Sequence, residues 1–350
     1  MTVSPFDHPL LSALLGDEEA ARHFSVEAEI DAMLAFERAL AEAEAENGVV
    51  TSDAAAAIVT ALAKFRPDTA LLRAAVAKDG VIVPELVRQI RAAVGEPHGR
   101  KVHFGATSQD AVDTGLMLRL KSVVEHLDLL LTETVMRLAS LEERFGGRAL
   151  TGMTRMQPAI PIKVADRVTA WRAPLQRHQE RLSEQSRRLL AVQFGGAAGT
   201  LEKLGDKGPT VRAALSAKLG LGDGPQWQNQ RDGLADFAGL MSLVTGSLGK
   251  FGQDVALMAQ GGTEIELSGG GGSSAMPHKQ NPVKAEALVA LARFNATQLS
   301  GMHQTLVHEQ ERSGAAWTLE WLLLPQMVVA TAASLRLAAG LAGQVESLGH

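Results

Sequence analysis

With 350 residues and a net charge of −5, the chain has no run of Lys or Arg that could track a phosphate backbone, which excludes nucleic acid as a partner. Hydrophobic residues make up 46% and aromatics 4%, with no tyrosine, and the prevalence of Ala and Leu favours helix, so an all-α fold is expected. The lack of cysteine excludes a disulfide framework and thiolate metal sites; with an N-terminus, MTVSPFDHPL, that has neither a basic start nor an apolar stretch, it points to a cytoplasmic protein.

Ser25 is placed to cap a helix carrying Glu27 and Glu29 in its first turn, and Asn47-Gly48 to close it. Ile30, Met33, Leu34, Glu37 and Leu40 follow helical spacing along it, so one face is largely apolar. Shorter helices are expected up to Val94, broken at Pro67 and at Asp79-Gly80, and the texture changes after Gly95-Glu96-Pro97-His98-Gly99. Residues 1–100 are accordingly expected to form an N-terminal helical domain and residues 101–350 a long-helix bundle domain.

From Ser108 to Phe145 no proline occurs and the only glycine is Gly115. Leu120, Val124, Leu127, Leu131, Thr134, Leu138, Leu141 and Phe145 form a seam with alternating spacings of four and three. At ~1.5 Å per residue this helix is about 55 Å long and needs long neighbours. The stretches from Ile162 to Gln193, Leu234 to Gln260, Pro282 to Gln310 and Ala316 to Val345 supply them, giving a bundle of about five long helices. Apolar residues on more than one side of these helices imply that several chains share the bundle. The most apolar stretch, Trp321 to Gly343, is interrupted by Pro325, Gln326 and Arg336, so no membrane span is expected.

Three breaks between helices carry reactive groups. In KVHFGATSQDAVDTG (101–115), Thr107, Ser108 and Asp110 are good N-cap residues. Capping is their simplest role, but a helix N-terminus with hydroxyls and free amides also suits a carboxylate, and His103 stands just before it. In TGMTRMQPAIP (151–161), Arg155 and Gln157 sit in a short segment ending in two prolines, where restricted backbone sets their direction; a solvated loop arginine is the plainer alternative. GGGGSSAMPHKQNP (269–282) begins like a flexible linker, yet a linker has no need of Met276, Pro277, Lys279, Asn281 and Pro282 in such density. No Gly-Lys-Ser/Thr follows the glycines, so it is not a phosphate loop. The ten histidines include no HExxH and no close carboxylate-histidine set; no metal and no other cofactor is expected, and His303 with His308 is placed on a helix surface.

Together the three clusters resemble the conserved blocks of the fumarase/aspartase superfamily, which includes adenylosuccinate and argininosuccinate lyases and a cycloisomerase. GSSAMPHKQNP is similar to its signature loop, and VHFGATSQDAVDT and TGMTRMQPAIP to its other two blocks, in the right order. VQFGGAAGT, QNQRDGLADF and HEQERSGAAWTLEW place the likeness with the cycloisomerase branch. The resemblance implies an all-α, long-helix bundle of the fumarase/aspartase type, assembled as a homotetramer whose active sites each take their three blocks from three subunits. Because the chain stops soon after the fifth long helix, the small C-terminal domain of the family is expected to be absent. The resemblance further implies Ser273 as the general base, Lys279 and Asn281 as holders of a substrate carboxylate, Thr107 and Ser108 as binding residues and His103 as the histidine of the first block. Gln109, Gln157, Gln230 and Arg231 complete the expected substrate-binding set.

One departure bears on the reaction. The lyases carry T-H-x-Q where this chain has T-R-M-Q, so Arg155 replaces a histidine involved in proton donation. Arginine is permanently charged and cannot take that role. An expelled amine or hydroxide benefits from a general acid, whereas a lactone opened in reverse expels a carboxylate of pKa about 4, which needs none. The expected activity is therefore a cycloisomerisation of an open-chain tricarboxylate, in which a carboxylate adds to a conjugated double bond. Lys279 and Asn281 would stabilise the enolate-like charge and Ser273 would deliver the proton, with the glycines as hinge; Arg155, Lys279, Arg231 and His103 would balance the substrate charges. The alternatives are a fumarate-releasing lyase, an isomerase of a sulfonate-bearing analogue, and a catalytically silent helical scaffold, the last disfavoured by the intact loop.

Overall fold

In the computed structural model, which describes residues 4–272, 274–276 and 279–350, helix dominates as composition and periodicity require. An N-terminal group comprises α1 (Ser12–Leu15), α2 (Glu18–Arg22), α3 (Val26–Glu46), α4 (Ser52–Lys64), α5 (Thr69–Asp79) and α6 (Val83–Val94). Ser25 caps α3 by accepting from the Ala28 amide, and Gly80, at a left-handed φ of 76°, ends α5. Then come α7 (Ser108–Phe145), α8 (Val164–Leu189), the shorter α9 (Gly208–Leu219), α10 (Asp232–Gly261), α11 (Val283–Gln304) and α12 (Gly314–Gly343).

The five long helices pack as a bundle: α7 lies against α8 and α12, and α10 against α8, α11 and α12. The α7 seam is buried from Leu120 through Leu127, Leu131, Leu138 and Leu141 to Phe145. Its one polar member, Thr134, donates to the Leu130 carbonyl and lies 3.2 Å from that of Leu335 on α12, so its hydroxyl is paired within the core. Trp171 of α8 meets Phe251 of α10 edge-on at 5.0 Å and donates its Nε1 to Asp254 at 2.7 Å. α12 is long and apolar enough to cross a membrane, but 72% of its most apolar window is buried inside the fold, the pattern of a core helix. A second apolar cluster gathers α3, α4 and α6 with α9, Val192 and Phe194 over the first turns of α7.

Successive long helices run in alternating directions. Residues 101–115, 190–231 and 305–313 therefore meet at one end of the bundle, called here the near end, and residues 146–163, 262–282 and 344–350 at the far end. The 38 residues of α7 separate the two ends by about 55 Å at ~1.5 Å per residue.

Two stretches differ from expectation. Residues 149–163 form a hairpin of β1 (Ala149–Thr154) and β2 (Gln157–Lys163), so α8 begins at Val164 rather than near Ile162. Arg155 and Met156 make its two-residue turn with φ of 46° and 65°, the left-handed pair that matches strand twist in tight hairpins. Pro158 and Pro161 are tolerated because a two-stranded ribbon has free edges on both sides. The second stretch is the end of α11, at Gln304 rather than near Gln310. At the far end β3 (Ile265–Leu267) pairs with β4 (Val345–Leu348).

Candidate active site

At the near end the first block is fastened by one carboxylate. Asp110 is fully buried and accepts from Gln193 Nε2 (3.0 Å), Gly195 N (2.9 Å), Gly196 N (3.0 Å) and Thr107 N (3.0 Å). Burial pushes its pKa up, to about 6, against the pull of these donors. Thr114 donates to the Gln193 carbonyl at 2.8 Å, so the VQFGG segment is stapled to the first turns of α7. Thr107 caps α7, and Thr107 and Ser108 are half-buried at its start; the Ser108 side chain bonds no other described residue. His103, in the left-handed region at φ 61°, places Nδ1 2.5 Å from Glu37 Oε1 of α3. Burial opposes charge on its ring, but the Glu37 carboxylate outweighs burial and raises the pKa above the ordinary histidine value.

Three expected substrate ligands have other partners here. Arg231 is 2% exposed; its guanidinium bonds Asp113 (2.6 and 3.2 Å) and Glu320 (2.8 and 2.5 Å) and lies over the Trp227 ring at 4.8 Å. Burial disfavours its charge, yet Asp113 and Glu320 more than offset this and raise its pKa. With both carboxylates at hydrogen-bond distance, the Arg231 guanidinium is held within the fold as a structural cation. Gln109 is likewise buried, donating to Asp113 (3.1 Å) and the Gln228 carbonyl (2.7 Å) and accepting from Arg312 (2.9 Å). Gln230 is exposed and donates within its own loop, to the Gln226 carbonyl at 3.3 Å. His303 is exposed on α11 as expected, but His308 lies beyond that helix with its side chain 1% exposed, 3.8 Å from Glu320.

At the far end Arg155 and Gln157 are exposed at the hairpin tip, and Lys279 is exposed on the signature loop. Asn281 is half-buried; its amide and carbonyl exchange bonds with Gly271 at 2.8 and 2.9 Å, closing the base of the loop above a cavity of about 390 Å³. Hairpin and loop are tied together: Glu264 accepts from the Thr151 amide at 2.7 Å, Ala149 and His350 exchange backbone bonds, and the Ser268 amide donates to Gln344 at 2.8 Å. Ser273 lies outside the described residues, as do Pro277 and His278. The structure thus gathers Arg155, Gln157, Lys279 and Asn281 at one end and His103, Thr107 and Ser108 at the other.

Glu37 and Asp110 hold the first block, and neither was assigned a site role from sequence. For Glu37 the signal was a carboxylate inside the apolar row of α3. Glu44, two turns on, is 1% exposed with both carboxylate oxygens unpaired; burial, aided by the charge of Glu37, raises its pKa to about 9, so it is a neutral acid.

This fold, with two motif clusters at opposite bundle ends, defines the class: residues 17–295 match a family described as lyase, and the chain belongs to it and to the fumarase/aspartase superfamily. It is 42% identical to the 3-carboxy-cis,cis-muconate cycloisomerase of Pseudomonas aeruginosa, over 91% of this chain and 71% of that protein. The crystal structure of the 3-carboxy-cis,cis-muconate lactonizing enzyme from Pseudomonas putida superposes with a TM-score of 0.90 at 37% identity, covering 97% of this chain and 77% of that one. An N-acetyl-S-(2-succino)cysteine lyase of Enterococcus italicus is 34% identical over 89% of this chain and 70% of its own length.

Arg231→Leu should destabilise the fold by about 3–5 kcal/mol in urea unfolding, since it strands two buried carboxylates; a stable variant with only a substrate-binding defect would restore Arg231 as a ligand. Glu44 has the opposite sense. A carboxyl that keeps its proton when folded until about pH 9, but when unfolded ionises near 4.5, makes stability fall as pH rises through that window. Glu44→Gln should therefore melt above the wild type at pH 8, with the gap closing towards pH 4.5; a pH-independent difference would contradict the assignment.

Proposed function

We propose that the chain converts 3-carboxy-cis,cis-muconate into 4-carboxymuconolactone. The observation that carries this reading is Arg155, a solvent-facing cation on a tight turn at the same bundle end as the signature loop. A permanent cation suits a reaction whose leaving group, in reverse, is a carboxylate, and is unsuited to protonating an amine. One substrate carboxylate adds to the conjugated double bond; the electron pair moves to the carbon alpha to another carboxylate, and the resulting enolate-like charge is held by Lys279 and Asn281. Ser273, by its place in the motif, delivers a proton to that carbon and recovers one from solvent, so the reaction is a net isomerisation. Arg155, Lys279 and His103 face the three carboxylates, with Thr107, Ser108 and Gln157 as further contacts.

These residues cannot meet within one chain, because α7 holds the two groups about 55 Å apart. A homotetramer supplies the missing halves if neighbouring chains run antiparallel, so that the near end of one subunit faces the far ends of two others. The bundle surface supports that assembly: Leu129 and Met136, seven residues apart on α7, are 70% and 60% exposed, and Leu243 and Leu322 on α10 and α12 are 52% and 59% exposed.

The test is to add 3-carboxy-cis,cis-muconate to purified protein and follow the conjugated-diene absorbance. Loss of absorbance with formation of the lactone is expected, together with a fall of roughly 10²-fold or more in turnover for Ser273→Ala at little change in KM. Release of fumarate from adenylosuccinate, with the muconate untouched, would replace this reading with that of a lyase.

A further inference from the structure

Nothing in the reaction above assigns a task to Glu37, a carboxylate that is 2% exposed on a face of α3 that is apolar apart from it and Glu44. Its Oε1 stands 2.5 Å from His103 Nδ1. The other end of the ring is left outward: Nε2 has no partner among the described residues and is not among the sealed, unpaired atoms, while the His103 side chain as a whole is 11% exposed. A buried carboxylate on one imidazole nitrogen fixes which nitrogen carries the proton and which way the ring points. The left-handed backbone at His103 adds to this constraint, since a non-glycine residue stays at φ 61° only where its surroundings hold it.

We propose that Glu37 is a positioning residue of the substrate site: by gripping His103 at Nδ1 it supplies a buried counter-charge and aims Nε2–H at a carboxylate of the substrate. The proposal rests on the reading of His103 as part of a site for a tricarboxylate. An imidazolium so held differs from Arg155 and Lys279, which are exposed on a hairpin tip and a loop, in being fixed before the substrate arrives. Preorganised charge of this kind needs no rearrangement on binding.

The charged groups around the ring agree with this role. Glu37 from α3 and Asp110 from α7 both favour the imidazolium, while Arg91 from α6 opposes it. Glu44, on the same helix as Glu37, is neutral over the working range and so neither competes for the ring nor adds charge; Lys101 is the cation near it. Because the folded pKa of His103 is raised, the ring keeps its proton to higher pH than a free histidine and loses its charge as pH climbs past that point.

Glu37→Gln keeps the size and one hydrogen-bonding oxygen but removes the charge. At pH 8 it is expected to raise KM for 3-carboxy-cis,cis-muconate by about tenfold or more with kcat changed less than about threefold, the scale of one lost charge-assisted interaction. The alkaline limb of kcat/KM should move to lower pH, and at pH 6, where the buried ring takes a proton more readily than at pH 8, the KM defect should narrow. Glu37→Asp should recover part of the effect. His103→Gln should raise KM similarly at both pH values, and adding Glu37→Gln to it should make matters no worse. A folded Glu37→Gln variant with the wild-type KM and pH profile, or with a defect equal at pH 6 and pH 8, overturns the proposal. If that variant does not fold, His103→Gln decides: an unchanged KM overturns it. A wild-type protein inactive on the muconate overturns the functional reading and this proposal together, whereas an active wild type beside an unaltered variant overturns this proposal alone.

Discussion

A straight helix cannot bring its own ends together, and in this chain the rigidity of α7 governs everything else. Thirty-eight residues without proline, sealed along one seam by leucines, keep His103, Thr107 and Ser108 about 55 Å from the hairpin and the signature loop. The remaining long helices repeat the constraint, each ending where the next begins, so that polar segments collect at two poles and apolar side chains fill the length between them. On the proposed reading, a single chain presents half a site at each pole. The proposed sharing of sites between subunits follows from this geometry, and the exposed apolar residues on α7, α10 and α12 give the neighbouring chains a surface to cover.

The two poles are built differently. At the near end buried ions do the holding: Asp110 collects four donors, Arg231 joins Asp113 to Glu320, and Glu37 grips His103. Such groups are costly to bury and, once paired, intolerant of displacement. They make the start of α7 a fixed platform for hydroxyls, amides and one imidazole. The far end presents Arg155, Gln157 and Lys279, all exposed, on a hairpin and a glycine-rich loop that backbone bonds at Ala149 and Ser268 tie to residues 344–350. In the proposed assembly, a rigid platform of hydroxyls and amides would face a more adaptable cationic element, which suits a reaction that must admit a highly charged substrate and then exclude water.

The bundle was legible in the sequence because heptad spacing and helix caps are local signals: α7 runs between the residues the seam and its cap indicated, and Ser25 caps α3 as its position implied. The hairpin at Arg155 was not legible, since Arg-Met lacks the Asn-Gly or Asp-Gly signature of a turn with two positive φ angles. Pairing was the other blind spot. Arg231 and Gln109 carry the same side chains whether they meet a substrate or Asp113, and only the fold shows that carboxylates 118 and 89 residues away claim Arg231. Glu37 left a trace, a charge in an apolar row, but its meaning required knowing that His103 lands beside it.

The central claim is that a working site takes residues from opposite ends of different chains, and subunit mixing tests it most directly. One inactive variant would carry Thr107→Val with Ser108→Ala, disabling the near end, and the other Lys279→Met, disabling the far end. Co-expressed with different tags and purified as hybrids carrying both, they should regain cycloisomerase activity that neither shows alone, because some sites then receive intact blocks from each kind of chain. Hybrids shown to contain both chains yet as inactive as their parents would contradict the account.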